Sequence, residues 1–314
     1  MPASTVAGPA EPVSNQTILI AYGLLALSPL FMATNVVIGR AAMEVMPPMG
    51  LAFWRWLLAF AILVPLGWVG LRQHWRQLVA HWPRVLLLGI LGMLVAGGFV
   101  YTGLETTTAT NAGLIYAISP IVIVVATWAG RGEPIAIHQS FGIAIAVIGV
   151  ITILTKGAPS ALLDLDLTIG DLWVLAAATA WGVYSVVIKH PGLAMPTLSL
   201  FAAIAGAGVV VIAPFYAVET IVFDRPVVPS VSVVLSVAGV ALVSSIAAFG
   251  TYQKGIAVIG PGRAGPFMYL MPAWAAVMAM LFLGEQFRTF HAIGFALIIP
   301  GVALATWPGR RKAG

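Results

Sequence analysis

Cysteine is absent from this chain, which excludes disulfides, thiolate metal centres and a cysteine nucleophile. Charge is almost as scarce: Asp, Glu, Lys and Arg make up 8% of the 314 residues, against about 25% in a soluble domain. A surface with so few charges cannot face water on all sides. Acids are missing above all from the interiors of the long apolar runs, where Glu105, at the end of one of them, comes nearest. The five histidines (His74, His81, His138, His190 and His291) fall in loops or at run ends without paired ligand spacing, so no metal is expected. No glycine-rich turn leads into Lys-Ser or Lys-Thr, which excludes P-loop ATP hydrolysis, and no cofactor is expected. No Ser-His-Asp set converges by spacing, which argues against an enzyme. The net charge of +5 is dispersed among short loops, so nucleic acid is not an expected partner.

What the chain has instead is apolar length. Hydrophobic residues account for 61% and the mean hydropathy is +1.03. Runs of about twenty apolar residues cross a hydrocarbon core of about 30 Å as helices. Ten such runs are readable, at 18–39, 50–70, 85–106, 109–129, 135–155, 168–188, 197–218, 232–256, 263–283 and 289–307. Pro, Gly or charged residues punctuate the connections, as in Met46-Pro47-Pro48 and Gly260-Pro261-Gly262. Residues 1–17 are polar and lack a basic stretch, and the first run is longer than a signal-peptide core, so it reads as a span.

Lysine and arginine bias sets orientation. With the N-terminus cytoplasmic, the inner side carries Arg72, Arg76, Arg84, Arg131, Lys189, Lys254, Arg263, Arg310, Arg311 and Lys312, and the outer side carries Arg40, Lys156, Arg225 and Arg288. Ten against four places both termini in the cytoplasm. The acids lie mostly outside: Glu44, Glu105, Asp164, Asp166, Asp171, Glu219, Asp224 and Glu285.

The chain also repeats itself. A shift of 152 positions carries Gly103 to Gly255, Ala112-Gly113 to Ala264-Gly265, Pro120 to Pro272, Gly132-Glu133 to Gly284-Glu285, Gly142 to Gly294 and Gly149-Val150 to Gly301-Val302. Five helices per repeat is an odd number, so the second copy enters the membrane upside down. The expected architecture is an all-α integral membrane protein of ten transmembrane helices in two inverted five-helix repeats, both termini cytoplasmic. Residues 1–17 form a cytoplasmic tail, 18–155 the first repeat, 156–167 an extracytoplasmic linker, 168–307 the second repeat and 308–314 a basic cytoplasmic tail. Inverted repeats are a transporter architecture, with the site near the midplane between them.

The doubled pattern of Pro, Gly-Glu, Gly and Gly, together with Phe53-Trp54-Arg55-Trp56 at the start of the second run, resembles the EamA-type domain of the ten-helix drug/metabolite transporters. The resemblance covers nearly the whole chain after residue 17. Within that superfamily the chain looks most like amino-acid and metabolite exporters, particularly the aromatic-amino-acid exporter type. The resemblance implies a central cavity lined by spans 1, 3, 4, 6, 8 and 9 and working by alternating access, in the cell (inner) membrane. The partners are then a small-molecule substrate and the lipid bilayer, with the oligomeric state open and a monomer compatible. Exporters of cationic drugs are the alternative, but distant four-helix relatives of that kind use a mid-membrane Glu, which this sequence does not supply.

Candidate cavity residues are the polar and aromatic groups near the midplane. They are Ser28 and Asn35 in span 1, Tyr101 in span 3, and Asn111, Tyr116 and Ser119 in span 4. Span 6 adds Trp181, Tyr184 and Ser185, span 8 adds Ser244, Ser245, Tyr252 and Lys254, and span 9 adds Tyr269 and Trp274. Aromatic rings with sparse hydroxyls suit an amphipathic solute, although Ser also glues membrane helices together. Lys254 is a candidate for a substrate carboxylate, whereas Arg55 reads as a residue snorkelling from near its helix end. Arg263 is an anchor or a gate. Pro29, Pro120 and Pro272 lie mid-span as candidate hinges, since each removes a backbone donor and can kink a helix. Gly89, Gly92, Ala96 and Gly97 let neighbours of span 3 approach closely.

Overall fold

A computed structural model describes residues 14–162, 167–283 and 286–307 of the protein. Most of the N-terminal tail, Asp164 and Asp166 in the linker, the Gly284-Glu285 pair and the Arg310-Arg311-Lys312 tail lie outside the described residues, as does the side chain of Arg40.

The described chain is helical, with α1 at Asn15–Ala42 and α2 at Pro48–Gln73. They are followed by α3 at Trp82–Leu104, α4 at Asn111–Arg131, α5 at Ile137–Leu154 and α6 at Ile169–Val187. Then come α7 at Thr197–Ile221, α8 at Val231–Ile259, α9 over 261–283 and α10 at Thr289–Thr306. Among the described residues, nine of these are long and apolar enough to cross a membrane. The exception is α9, which runs as Pro261–Ala264, a 3-10 stretch Gly265–Tyr269 and an α-helix Leu270–Leu283. Pro266 and Pro272 each lack the N–H that would carry a regular helix through. Helix starts obey ordinary capping: Ser14 Oγ accepts from Thr17 N (3.1 Å) and Ser230 Oγ from Val233 N (3.2 Å). At α6, Asp171 accepts from Thr168 N at 2.6 Å, a reciprocal cap on the positive end of the helix dipole.

The bundle wears its apolar residues outward. Leu66, Trp68 and Val69 on α2 are each more than half exposed. In water such patches aggregate, but lipid tails solvate them. Helices in lipid gain little from hydrophobic burial against one another, so close backbone packing holds them together. The tightest seam shows this. Along α5 and α10, a Cβ on Gly142 would come within 2.6 Å of Gly301 O, and one on Gly149 within 2.9 Å of Gly294 O.

Those four glycines also reveal the symmetry. Gly142 corresponds to Gly294 and Gly149 to Gly301 under the 152-residue shift. Gly142 faces Gly301 while Gly149 faces Gly294, so each residue meets the counterpart of the other. Only an antiparallel, two-fold arrangement does that. The rest of the packing agrees: α1 lies against α8 and α9, α6 lies against α3 and α4, and α2 lies along α7. Exchanging the two sets of five helices leaves this pattern unchanged. The two described ends share a face, where Tyr22 on α1 donates to the carbonyl of Thr306 on α10 (3.1 Å).

Two features break regular helical winding in symmetric places. α3 winds as a π-helix over Gly89–Phe99 and α8 over Val240–Ala247. In α4 the helix lapses into turns after Tyr116 and restarts at Ser119-Pro120. In α9 the change from 3-10 to α-helix comes just before Pro272.

Candidate solute cavity

A cavity of about 370 Å³ lies between the two sets of helices. It is walled by parts of α1 to α6 and α8 to α10. Leu104, Ala112, Leu154, Lys156, Phe290 and His291 line one end of it. These residues cap the bundle on the face opposite the two described ends, and Lys156 is exposed there. The cavity therefore opens on that face.

Its floor is aromatic. Trp181, Phe249 and Tyr269 line it and are nearly buried. Trp181 stacks on Tyr184 (centroids 5.4 Å), meets Tyr252 at 4.8 Å and takes the edge of Phe249 at 5.0 Å. Beneath the rings the polar groups pair with one another. Ser185 Oγ and Tyr252 Oη are 3.0 Å apart, and Gln253 Nε2 donates to Tyr184 Oη at 2.7 Å. Further toward the closed face, Arg263 donates to Thr306 O (3.2 Å) and to Tyr22 Oη, tying α9 to α10 and α1. Lys189 Nζ donates to Ala257 O at 2.5 Å. Burial, reinforced by the charge of Arg131, lowers the pKa of that ammonium. These contacts seal the face that carries the chain ends.

The expected residues separate into three groups. Asn35, Tyr116, Ser119, Trp181, Ser244, Tyr269 and Pro272 line the cavity. Tyr116 donates to Ala96 O (3.3 Å), Ser244 pairs with Thr34 (3.0 Å), and the buried Tyr269 hydroxyl has no partner among the described residues. Tyr101, Tyr184, Ser185, Ser245 and Tyr252 lie buried behind the wall. The third group ties helices together or sits elsewhere. Ser28 donates to Ala248 O (2.9 Å) and Trp274 to Ala26 O (2.9 Å), while Asn111 is buried at the cap of α4 and its N–H donates to Thr108 Oγ1. Pro29 sits inside a continuous α1 and Pro120 is buried in α4. Lys254 is exposed, away from the cavity. It lies two residues past the buried Tyr252, on nearly the opposite side of the helix.

Arg55 is where the structure departs from the sequence reading. It does not snorkel. Seven residues into α2, or about 10 Å along the axis, it is 2% exposed and lines the cavity. Its Nη1 donates to Tyr101 Oη at 2.5 Å and to Asn35 Oδ1 at 3.1 Å, and Tyr101 in turn donates to Asn35 Oδ1 at 2.6 Å. The guanidinium lies about 5 Å from the ring centres of Trp56 and Tyr101, within cation–π range. The helical pattern could not show this, because the space for the side chain comes from Gly97 on α3. A Cβ there would lie 2.5 Å from Arg55 Nη2. The acids meanwhile serve the rim: Glu219 accepts from Met49 N (3.1 Å) and Gly50 N (2.8 Å), Asp171 from Thr107, and Glu105 from Arg225 (3.0 Å). Among the described residues no group of His, Asp and Glu could hold a metal.

The profile of the EamA-like transporter family matches residues 19–155 and again residues 168–307. The chain belongs to the EamA-like transporter family. It resembles an uncharacterized transporter of Archaeoglobus fulgidus, with 26% identity over 90% of this chain and 96% of the relative. It also resembles a protein of Streptantibioticus cattleyicolor named "Probable terminal-alkyne amino-acid exporter", with 29% identity over 80% of this chain and 84% of the relative. A solved crystal structure superposes with a TM-score of 0.74 at 22% identity, covering 94% of this chain and 97% of the other, which shows the shared fold. This EamA-like protein is thus a membrane transporter for a small molecule rather than an enzyme.

Proposed function

We propose that this EamA-like protein exports amino acids, aromatic ones included, or similar small amphipathic metabolites, by alternating access around the central cavity. The observation that carries the reading is the cavity itself. It lies between two-fold-related helix sets, is open on one face and sealed on the other, and is lined by rings with a few polar groups. Rings offer a stacking surface, and sparse hydrogen bonds fix orientation. Asn35, Tyr116, Ser119, Trp181, Ser244 and Tyr269 would touch the solute. Pro120 and Pro272, each beside a break in its helix, would be the hinges about which the wall swings to the other face. The named activity of the Streptantibioticus relative supports an amino-acid substrate.

The charge count supports both termini in the cytoplasm and a place in the inner membrane, an orientation that turns the cavity outward. Residues 18–155 and 168–307 act as the two moving repeats. The charged side chains lining the cavity are Arg55 and Lys156, which disfavours cationic drugs as substrates.

Purified protein in lipid vesicles tests this. Vesicles loaded with labelled phenylalanine, leucine or lysine should release at least one of them faster than protein-free vesicles. No protein-dependent movement of any amino acid, in either direction, would defeat the proposal.

A further inference from the structure

We infer that Arg55, oriented by Asn35 and Tyr101, binds the carboxylate of the transported solute. This rests on the cavity being the solute path. Arg55 is a buried, cavity-facing cation, and among the described residues it forms no ion pair; the two salt bridges found there are Arg131–Glu133 and Arg225–Glu105. A charge left in a low-dielectric interior is unfavourable unless paired. Its two hydrogen bonds go to neutral oxygens, and both leave from Nη1. The Nε donor is buried and has no partner. A guanidinium carries several donors that match the two oxygens of a carboxylate, and among the described residues only Nη1 of Arg55 is hydrogen-bonded.

The surroundings hold the guanidinium still. Asn35 Oδ1 accepts from both Arg55 and Tyr101, so a closed triangle of donors and acceptors fixes Nη1. Trp56 and Tyr101 flank the guanidinium, and Gly97 leaves it room. On α1 and α3, the helices that carry Asn35, Tyr101 and Gly97, the cavity lining also includes the apolar Met32, Ala33, Ala96 and Val100. A solute with a carboxylate at one end and an apolar body at the other would place its charge on Arg55 and its body against the aromatic floor. The alternative role for Arg55 is a purely structural tie between α1, α2 and α3.

Thermal unfolding of the purified protein in detergent, titrated with 3-phenylpropionate, separates the two. Wild-type protein should be stabilised by 3-phenylpropionate at least tenfold more potently than by 3-phenylpropionamide, phenethylamine or sodium chloride. Arg55→Lys should weaken binding at least tenfold. Asn35→Asp places a carboxylate within reach of Nη1. That variant should unfold at a higher temperature than wild type without ligand and yet show no shift with 3-phenylpropionate, a combination a structural tie would not give. Equal shifts with acid and amide would overturn the inference. So would a shift matched by chloride, a retained acid response in Asn35→Asp, or no response of wild type to any of the four. If the acid binds in this way but no amino acid crosses the vesicle membrane, the proposed activity fails and the site stands. If amino acids cross and the acid binds no better than the amide, the reverse holds.

Discussion

Gly97 carries no side chain, and that vacancy is what lets a guanidinium lie inside a membrane bundle. A methyl group there would meet Arg55 Nη2 at 2.5 Å, the backbone Gly92 O at 3.2 Å and Trp56 Nε1 at 3.2 Å. Because the nearest of these is the end of a long side chain and the backbone oxygen needs only a few tenths of an ångström, Gly97→Ala should keep the fold and displace the charge. We expect about a tenfold rise in KM for the transported solute, roughly 1.4 kcal/mol, with a melting temperature close to wild type. An unchanged KM would show that the guanidinium position does not matter to transport. A second residue-scale test lies under the floor, where Gln253 donates to Tyr184 at 2.7 Å and both are buried. Tyr184→Phe removes the acceptor and strands a buried amide, which costs about 1–3 kcal/mol. Combining it with Gln253→Leu should recover much of that loss in thermal unfolding. Single residues were the least legible part of the sequence. Asn35, Tyr116 and Trp181 line the cavity wall. Tyr184, one turn past Trp181, and Tyr252, one turn past the cavity-lining Phe249, lie one layer deeper, and only the depth of the floor decides that. Arg55 reads as a snorkelling residue in the sequence because the room it fills is supplied by another helix.

At the scale of helices, the apolar runs located the spans well, since hydropathy needs no partner to be read. What they could not show is winding. The π-helical stretches of α3 and α8 leave no mark in the hydropathy, and they shift the face that later residues present. The break in α9 has a visible cause in Pro266 and Pro272, yet its extent, a full 3-10 stretch over Gly265–Tyr269, comes from packing. The α5–α10 seam gives a sharp test. At Gly142 the obstructing atoms include the backbone oxygen of Gly301 at 2.6 Å, which cannot swing aside. Gly142→Ala should therefore destabilise the protein by about 1–3 kcal/mol or more. At Gly23, also inside a helix, nothing lies within 4 Å of an added methyl. Gly23→Ala should be neutral or stabilising by about 0.5–1 kcal/mol. Equal melting temperatures for the two variants would contradict the seam as described.

For the whole molecule, the duplicated prolines and glycines were the informative signal. Residues that recur at a fixed shift in a chain dominated by Leu, Val, Ile and Ala mark geometry, not hydrophobicity. Gly142 meeting Gly301 while Gly149 meets Gly294 turns that shift into an antiparallel two-fold relation. One part of the repeat motif is seen in a single copy: Gly132 ends α4 in the left-handed region at φ 66°, whereas its counterpart Gly284 lies outside the described residues. The sides of the membrane are proposed from charge bias alone. The absence of cysteine makes the decisive measurement clean, because single cysteines can be placed without background. In intact cells, Lys156→Cys at the cavity mouth should react with a membrane-impermeant maleimide, while Asn15→Cys and Trp307→Cys should react only after the membrane is permeabilised. Labelling of Asn15→Cys and Trp307→Cys from opposite sides, or of all three from the same side, would contradict two inverted repeats around an outward-facing cavity.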